Sequence, residues 1–247
     1  AMSRPVALPR TRTVTSIRAR EGWHFPDLRE VARHRELLFN FARRDLSVRY
    51  RQTWLGVGWV VFQPLALMGI MALFFGQVVR QAPGQAPFPV FVFTGLVAWN
   101  FFNALVSESA ASVIAYQAIV MKVFFPRLLV PLSSLASVAL DFLVGLSLAV
   151  ILLFVYGINP GWQVLLLPVW ILLILLLGTG FGLAAAAYMV KYRDVGYVLP
   201  WLVQVLLYAS PVAYALTEVP ATLRWLFDLN PVTWFLEAFR WSLLGST

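Results

Sequence analysis

The sequence contains no cysteine, and it has only two histidines and two lysines among its 247 residues. Without cysteine, the chain has no disulfide framework, no thiol nucleophile and no thiolate metal site. Neither Lys122 nor Lys191 follows a glycine-rich loop, which excludes a P-loop for nucleotide phosphates. His24 and His34 lack the i, i+4 spacing of a helical metal site. We therefore predict no catalytic site, no metal and no cofactor bound by this chain.

Charge is also scarce, and it is unevenly placed. Charged residues make up 12% of the chain and hydrophobic residues 60%, whereas a soluble domain has about 25% charged residues. Twelve of the nineteen basic residues and five of the eleven acidic ones precede Trp54, so this segment carries +7 of the net +8. A nucleic-acid binder would need those charges on a folded, mostly soluble body. The pattern predicts an all-α, polytopic membrane protein with a basic cytoplasmic N-terminus and no nucleic-acid partner.

The change from charged to apolar sequence falls within residues 43–64. Arg43, Arg44, Arg49 and Arg51 stand just before an uncharged run that starts at Trp54. Residues 1–27 form a basic arm, and residues 28–53 are predicted to form an amphipathic helix in the plane of the cytoplasmic headgroups. Two interpretations of its arginines stay open, namely the general positive-inside bias and a dedicated role in binding lipid phosphate.

The transmembrane domain is predicted to cover residues 54–216. Five apolar segments reach the roughly 20 residues that a span needs. They lie near 54–79, 88–109, 128–156, 162–190 and 195–216. The more basic connections, with Lys122 and Arg127 or with Lys191 and Arg193, are placed with the N-terminus on the cytoplasmic side.

Residues 217–247 do not form another predicted span. Pro220 and Pro231 divide them into two aromatic pieces, each too short to cross a bilayer. Short aromatic helices at this depth lie in the membrane interface or re-enter the membrane. We therefore predict two short helices on the external side, which either lie in the interface or re-enter the membrane.

Asp141 is the clearest anomaly within the spans, because it places a carboxylate about midway along the third one. It could line a water path, or it could be packed against the hydroxyls of Ser133 and Ser137. We assign Asp141, Trp99 and Tyr208 to conduit lining or packing. The glycine-dense run 178–182 is predicted to allow close helix packing.

Four motifs together resemble a known family. They are RRDLSVRYRQTWLGVGWVVFQPL (43–65), IVMKVFFPRLLVPL (119–132), YRDVGYVLP with YASPVAY (192–200 and 208–214), and LNPVTWFLEAFRWSLLG (229–245). In this order and at these intervals, they are similar to the permease subunits of ABC-2 type exporters of polysaccharides and polyol phosphates. The resemblance covers residues 28–247, and it is specific for the family rather than for one substrate.

The resemblance implies a bacterial cytoplasmic (inner) membrane location, with the N-terminus cytoplasmic. Permeases of this family are six-span subunits that form a homodimer with two cytosolic ABC ATPase subunits, which bind ATP and Mg²⁺. By position, residues 110–127 would dock on the ATPase, and Arg43 to Arg51 would border the substrate's entrance. The docking connection includes Tyr116, Gln117 and Lys122. The resemblance also implies two short re-entrant helices on the external side, which match residues 217–229 and 231–245 and precede a sixth span. Nothing in the sequence corresponds to that sixth span, which we expect to lie beyond Thr247.

From the resemblance we expect a permease that exports an O-antigen-type polysaccharide linked to undecaprenyl pyrophosphate, as in lipopolysaccharide biosynthesis. Export of teichoic acid or capsular polysaccharide by the same mechanism is the first alternative. A membrane-embedded enzyme of glycolipid synthesis is a second, although the sequence offers no convergent acid, base or metal site for it. An ion-coupled carrier is a third, and it would depend on Asp141.

Overall fold

The computed structural model describes residues 33–51, 58–75, 86–117 and 128–245, and every regular element within these ranges is a helix. In chain order the helices are α1 (Arg35–Arg51), α2 (Gly58–Phe75), α3 (Phe88–Ala115), α4 (Leu129–Val155), α5 (Leu167–Lys191), α6 (Val195–Tyr208), α7 (Ala221–Leu229) and α8 (Pro231–Leu244). Short 3₁₀ turns, Trp162–Leu166 and Leu216–Glu218, precede α5 and α7. The predicted all-α class is confirmed for the described residues.

Three stretches of helix in the described part of the chain are long and apolar enough to cross a membrane. They are Phe88–Ala115, Leu129–Val155 and Trp162–Lys191. At 1.5 Å per residue, the 28 residues of α3 span about 42 Å, more than the roughly 30 Å of hydrocarbon. These stretches correspond to the predicted spans 88–109, 128–156 and 162–190, and α3 continues six residues beyond its predicted end. The polytopic membrane character is confirmed.

The first and fifth predicted spans are represented by shorter helices. For the predicted span 54–79, α2 covers 58–75 and the flanking residues lie outside the described ranges. The predicted span 195–216 is helical only from Val195 to Tyr208, and these 14 residues reach about 21 Å. The helix ends early because the next residues form a turn that contains Pro211. The side chain of Asn230 donates a hydrogen bond to the carbonyl of Ala209 in this turn.

The core of the bundle is built around α3, in which residues 92–99 are all buried. Helix α4 runs antiparallel to it, and Phe142 stacks on Phe101 with ring centroids 4.1 Å apart. Helix α5 runs parallel to α3 and approaches it through glycine. A Cβ atom at Gly182 would lie 2.6 Å from Cβ of Ser109, so no larger residue fits there. The predicted packing role of the 178–182 run is confirmed.

The two ends of α3 meet different partners. At its C-terminal end, Tyr116 contacts α1 and the start of α4. Near its N-terminal end, Gly95 and Phe91 contact Arg240 of α8. Gly95 and Tyr116 are 21 positions apart, about 31 Å along the helix. We refer to these as the Tyr116 end and the Arg240 end of the bundle.

Candidate functional site

A cluster of five side chains joins α1, α3 and α4 at the Tyr116 end, and we call it the junction. It consists of Phe41, Arg44 and Asp45 from α1, Tyr116 after α3, and Ser133 from α4. The phenol of Tyr116 donates a hydrogen bond to Oδ1 of Asp45. The hydroxyl of Ser133 lies 3.5 Å from Oδ2 of the same carboxylate. One carboxylate of α1 is thereby hydrogen-bonded to the residue that follows α3 and lies next to a hydroxyl at the start of α4.

Aromatic contacts complete the junction around the same phenol. The ring of Phe41 packs edge-to-face against Tyr116, with the centroids 5.4 Å apart. The guanidinium of Arg44 lies 5.1 Å from the centroid of the Tyr116 ring, within the range of a cation–π interaction. Tyr116 is 7% exposed, and Leu129 and Val130 beneath it are completely buried. The amphipathic helix α1 is therefore packed onto the bundle through its Phe41 side.

The electrostatics of the junction keep Tyr116 protonated. Burial raises the pKa of Tyr116 well above its ordinary value, and the hydrogen bond to Asp45 and that residue's charge raise it further. Arg44 acts in the opposite direction, but its effect is smaller. The phenol is consequently a permanent donor to the carboxylate at physiological pH.

The four arginines predicted to border the substrate entrance all belong to α1. Arg43 and Arg44 are exposed, and Arg44 also contacts the ring of Tyr116. The side chains of Arg49 and Arg51 lie outside the described part of the structure, although their backbone is helical. Their role at an entrance stays a prediction.

The residues predicted to belong to the docking connection differ in accessibility. Gln117 is exposed, and Lys122 lies outside the described residues. Tyr116 is covered by α1, so its side chain offers little surface to another protein. Its contribution is to fasten the connection to α1, which the sequence alone did not indicate.

The three residues assigned to conduit lining or packing belong to three different helices and differ in exposure. Trp99 is 3% exposed and lies 5.8 Å from the ring of Phe102, so it belongs to the core of α3. Tyr208 is 72% exposed at the end of α6. Asp141 is partly exposed in the middle of α4. The hydroxyls of Ser133 and Ser137 each donate to a backbone carbonyl three residues earlier in α4.

Arg240 is a residue that the sequence reasoning missed. Its side chain is completely buried, and its guanidinium lies 3.8 Å from the centroid of the Phe91 ring. One nitrogen donates to the backbone carbonyl of Val212, and another lies 3.3 Å from Oε1 of Glu237. Gly95 faces the same guanidinium so closely that a Cβ atom there would collide with it. A buried cation is thus paired, hydrogen-bonded and covered by an aromatic face.

Asn230 holds the turn between α7 and α8. Its Oδ1 accepts a hydrogen bond from the backbone N–H of Val232 and caps α8. Its Nδ2 donates to the carbonyl of Ala209 and to Oγ of Ser210, at 3.0 and 2.9 Å. The chain after α6 is therefore tied to the start of α8.

The sequence reasoning missed Asn230 as well as Arg240, although each of them left a signal in the sequence. Asn230 directly precedes Pro231, which is a common helix start. Glu237 and Arg240 have the i, i+3 spacing of an ion pair within an otherwise aromatic and apolar segment. Within the described residues, no group of three or more His, Cys, Asp or Glu side chains is placed to hold a metal ion.

Comparison with known proteins gives the family. Residues 36–244 match the model of the ABC-2 type transporter membrane domain. The chain is similar to an O-antigen export system permease protein RfbA of Myxococcus xanthus, at 30% identity over 86% of this chain and 82% of the relative. It is similar to a protein of the same name from Klebsiella pneumoniae, with the same identity and coverage.

A more distant relative is named for a different substrate. The polysialic acid transport protein KpsM of Escherichia coli is 25% identical over 80% of this chain and 77% of the relative. The family match spans α1 to α8 and includes both the junction and Arg240. The chain is therefore a member of the ABC-2 type transporter family.

Proposed function

We propose that this chain is the membrane-spanning permease of an ATP-driven exporter of a lipid-linked, O-antigen-type polysaccharide. The observation that carries the proposal is the similarity to two O-antigen export permeases over more than four-fifths of each chain. The sequence has no P-loop of its own, so the proposal requires a separate ATPase subunit that binds ATP and Mg²⁺. The carrier lipid is proposed to be undecaprenyl pyrophosphate.

The proposed assembly is a homodimer of this chain with two cytosolic ATPase subunits in a bacterial inner membrane. The N-terminus and the Tyr116 end lie on the cytoplasmic side in this arrangement. The excess of arginine before Trp54 supports that orientation through the positive-inside rule. The Arg240 end then faces away from the cytoplasm.

The junction suggests how the ATPase would act on the permease. A subunit that pushes on residues 110–127 also moves α1, because Tyr116 is bonded to Asp45 of that helix. Ser133 and Val130 bring the start of α4 into the same unit. The two helices next to the connection and the helix that carries the arginines would respond together.

Arg43, Arg44, Arg49 and Arg51 are proposed to attract the pyrophosphate that links lipid and glycan. A guanidinium forms paired hydrogen bonds to phosphate oxygens, and α1 places these residues next to the apolar run that starts at Trp54. Replacing Arg49 and Arg51 together with glutamine should reduce export while leaving assembly with the ATPase intact. Unchanged export in this variant would exclude the role.

Export of an acidic capsular polysaccharide is a second candidate, favoured by the similarity to the polysialic acid transport protein. Deleting the chromosomal copy and analysing the surface glycan separates the two candidates, because the missing polymer identifies the substrate.

Purification tests whether the chain works as part of an ATP-driven transporter. We expect the chain to co-purify with an ATPase subunit whose turnover it stimulates, whereas an active complex without an ATPase would exclude an ABC exporter.

A further inference from the structure

A cleft at the Arg240 end has the composition of a sugar-binding site. It has a volume of about 460 Å³, and it lies between α7, α8 and the 3₁₀ turn at Leu216. Its lining includes Leu216, Asp228, Thr233, Trp234, Glu237 and Trp241. Sites for small ligands typically measure about 300–1,000 Å³, which is enough room for one or a few sugar rings.

Two tryptophan rings at the cleft are held in place. The indole N–H of Trp234 donates to the backbone carbonyl of Asp228 at 2.8 Å, yet 63% of this side chain remains exposed. Trp241 packs edge-to-face against Trp162, with the ring centroids 5.8 Å apart. The face of an aromatic ring carries partial negative charge and attracts the polarised C–H groups of a pyranose ring. A fixed and exposed indole suits such stacking, because little side-chain freedom is lost on binding.

The polar groups of the cleft suit sugar hydroxyls. Thr233 is 3% exposed, and its Oγ1 has no hydrogen-bond partner among the described residues. A buried hydroxyl without a partner is destabilising, so a ligand that bonds to it recovers that energy. Asp228 is exposed, and a quarter of the Glu237 side chain is exposed beside Arg240. Carboxylates accept hydrogen bonds from hydroxyls and repel a polyanion.

From these contacts we infer that the cleft binds a neutral, hydroxyl-rich sugar ring of the exported glycan. The inference rests on the proposed function for its substrate class, and it adds a site and a preference for neutral over acidic sugars. Trp234 stacks on the ring, Thr233 and Asp228 bond to its hydroxyls, and Arg240 holds Glu237 in position. Because the cleft is at the end opposite to the junction, it acts on glycan that has passed most of the bundle.

The test uses the permease–ATPase complex in lipid nanodiscs and saturation-transfer NMR. The probe is the set of oligosaccharides released by mild acid from the surface polysaccharide of the producing cells, and a sialic acid tetramer serves as the anionic comparison. With the wild type, we expect saturation of the sugar ring protons and little signal from the sialic acid tetramer. Trp234→Ala should weaken binding by at least about fivefold, since the stacked ring is lost.

Two further variants separate binding from folding. Trp225→Ala is the matched control, because Trp225 is 64% exposed on α7 and does not line the cleft. Thr233→Val replaces only the hydroxyl, with a methyl group of similar size, so we expect weaker sugar binding with an unchanged or higher melting temperature. Equal binding by the Trp234→Ala and Trp225→Ala variants, or no signal with the wild type, would overturn the inference.

Export measured in the same cells distinguishes failure of the site from failure of the proposed function. If cells without the permease still display all their surface polysaccharide, the export function itself is wrong. If the deletion abolishes display but both tryptophan variants restore it equally and bind sugar equally, only the cleft assignment falls. Tighter binding of the sialic acid tetramer than of the neutral oligosaccharides would overturn the stated preference.

Discussion

The phenol of Tyr116 donates a hydrogen bond to the carboxylate of Asp45, a residue 71 positions earlier in the chain. This contact fastens the amphipathic helix α1 to the end of α3, where the connection to α4 begins. Neither residue is conspicuous by itself, since one is an acid on a charged helix and the other an aromatic after an apolar span. The hydrogen bond between them links the helix that carries the arginines to the segment that is proposed to receive the ATPase.

Removing the hydroxyl of Tyr116 should weaken the coupling between α1 and the 110–127 connection that is proposed to receive the ATPase. Tyr116→Phe keeps the ring contacts with Phe41 and Arg44, but it leaves the carboxylate of Asp45 without its donor. We expect a loss of about 1–3 kcal/mol in stability and fewer glycans exported per ATP hydrolysed. Export and ATP turnover are to be measured together in proteoliposomes.

Tyr156→Phe is the matched control for this variant. Tyr156 follows the last residue of α4 as Tyr116 follows that of α3, but it is 45% exposed. We expect its replacement to change neither stability nor the coupling ratio. The double variant Asp45→Asn/Tyr116→Phe should lose less stability than the sum of the losses in the two single variants. Strictly additive losses would show that the two side chains do not interact.

The part of the coupling between ATP hydrolysis and glycan export that depends on Tyr116 should not vary with pH in the neutral range. The pKa of Tyr116 is raised above its ordinary value of 10.0, so the folded state holds this proton more tightly than the unfolded state does. Its contribution is complete below the unfolded pKa and is lost only as the pH rises through the higher folded value. The coupling difference between wild type and Tyr116→Phe should therefore stay constant between about pH 6 and pH 9. A marked decline toward pH 9 would contradict this assignment.

Two glycines of α5 should respond in opposite ways to alanine. Gly182→Ala places a methyl group 2.6 Å from Cβ of Ser109 and 3.0 Å from the carbonyl oxygens of Leu105 and Val106, so α5 must move away from α3. We expect a loss of about 1–3 kcal/mol, which thermal unfolding of the purified protein in detergent will show. Gly180→Ala meets nothing within 4 Å and should be neutral or stabilising by up to about 1 kcal/mol. Equal melting temperatures for the two variants would refute the close packing.

Replacement of Arg240 should be among the most damaging single changes in the described part of the chain. Arg240→Met leaves Glu237 and the carbonyl of Val212 without their cationic partner, at a cost of about 3–5 kcal/mol. Arg240→Lys keeps the charge but loses the planar contact with Phe91, so we expect an intermediate loss.

The amount of folded protein after membrane extraction and its melting temperature report this effect. Arg224→Ala, at an exposed position on α7, is the control and should behave like the wild type. Adding Glu237→Gln to Arg240→Met should recover part of the loss, because it removes the unpaired carboxylate. A stable Arg240→Met protein would show that the buried pair is dispensable for folding.

The sequence predicted the long helices well, because hydropathy directly reflects the environment of a span. The predicted third span, 128–156, and helix α4, Leu129–Val155, differ by one residue at each end. The fifth span was predicted less well, since apolar sequence continues beyond Tyr208 while the helix does not. There the backbone follows Pro211 and the hydrogen bonds of Asn230, which hydropathy does not record.

The polar contacts across helices could not be predicted from the sequence. Asp45 meets Tyr116, and Arg240 meets Val212 and Phe91, only after helices distant in the chain have packed together. Periodicity describes one helix at a time and does not indicate which faces of two helices meet. Asp141 attracted attention because it is charged within a span, whereas the better buried Arg240 lies in a short aromatic helix.

The central helix α3 is clamped near both ends, by a carboxylate at Tyr116 and by a guanidinium at Gly95 and Phe91. Because both ends of α3 make polar contacts with other helices, sliding or turning of α3 about its own axis would break these contacts. The two contact regions lie about 31 Å apart along the helix, so a displacement of α3 as a whole would involve both α1 and α8. By contrast, α6 has a single buried residue, Val203, and most of its side chains face away from the described bundle. A displacement of α6 would therefore disturb fewer packing contacts than a displacement of α3.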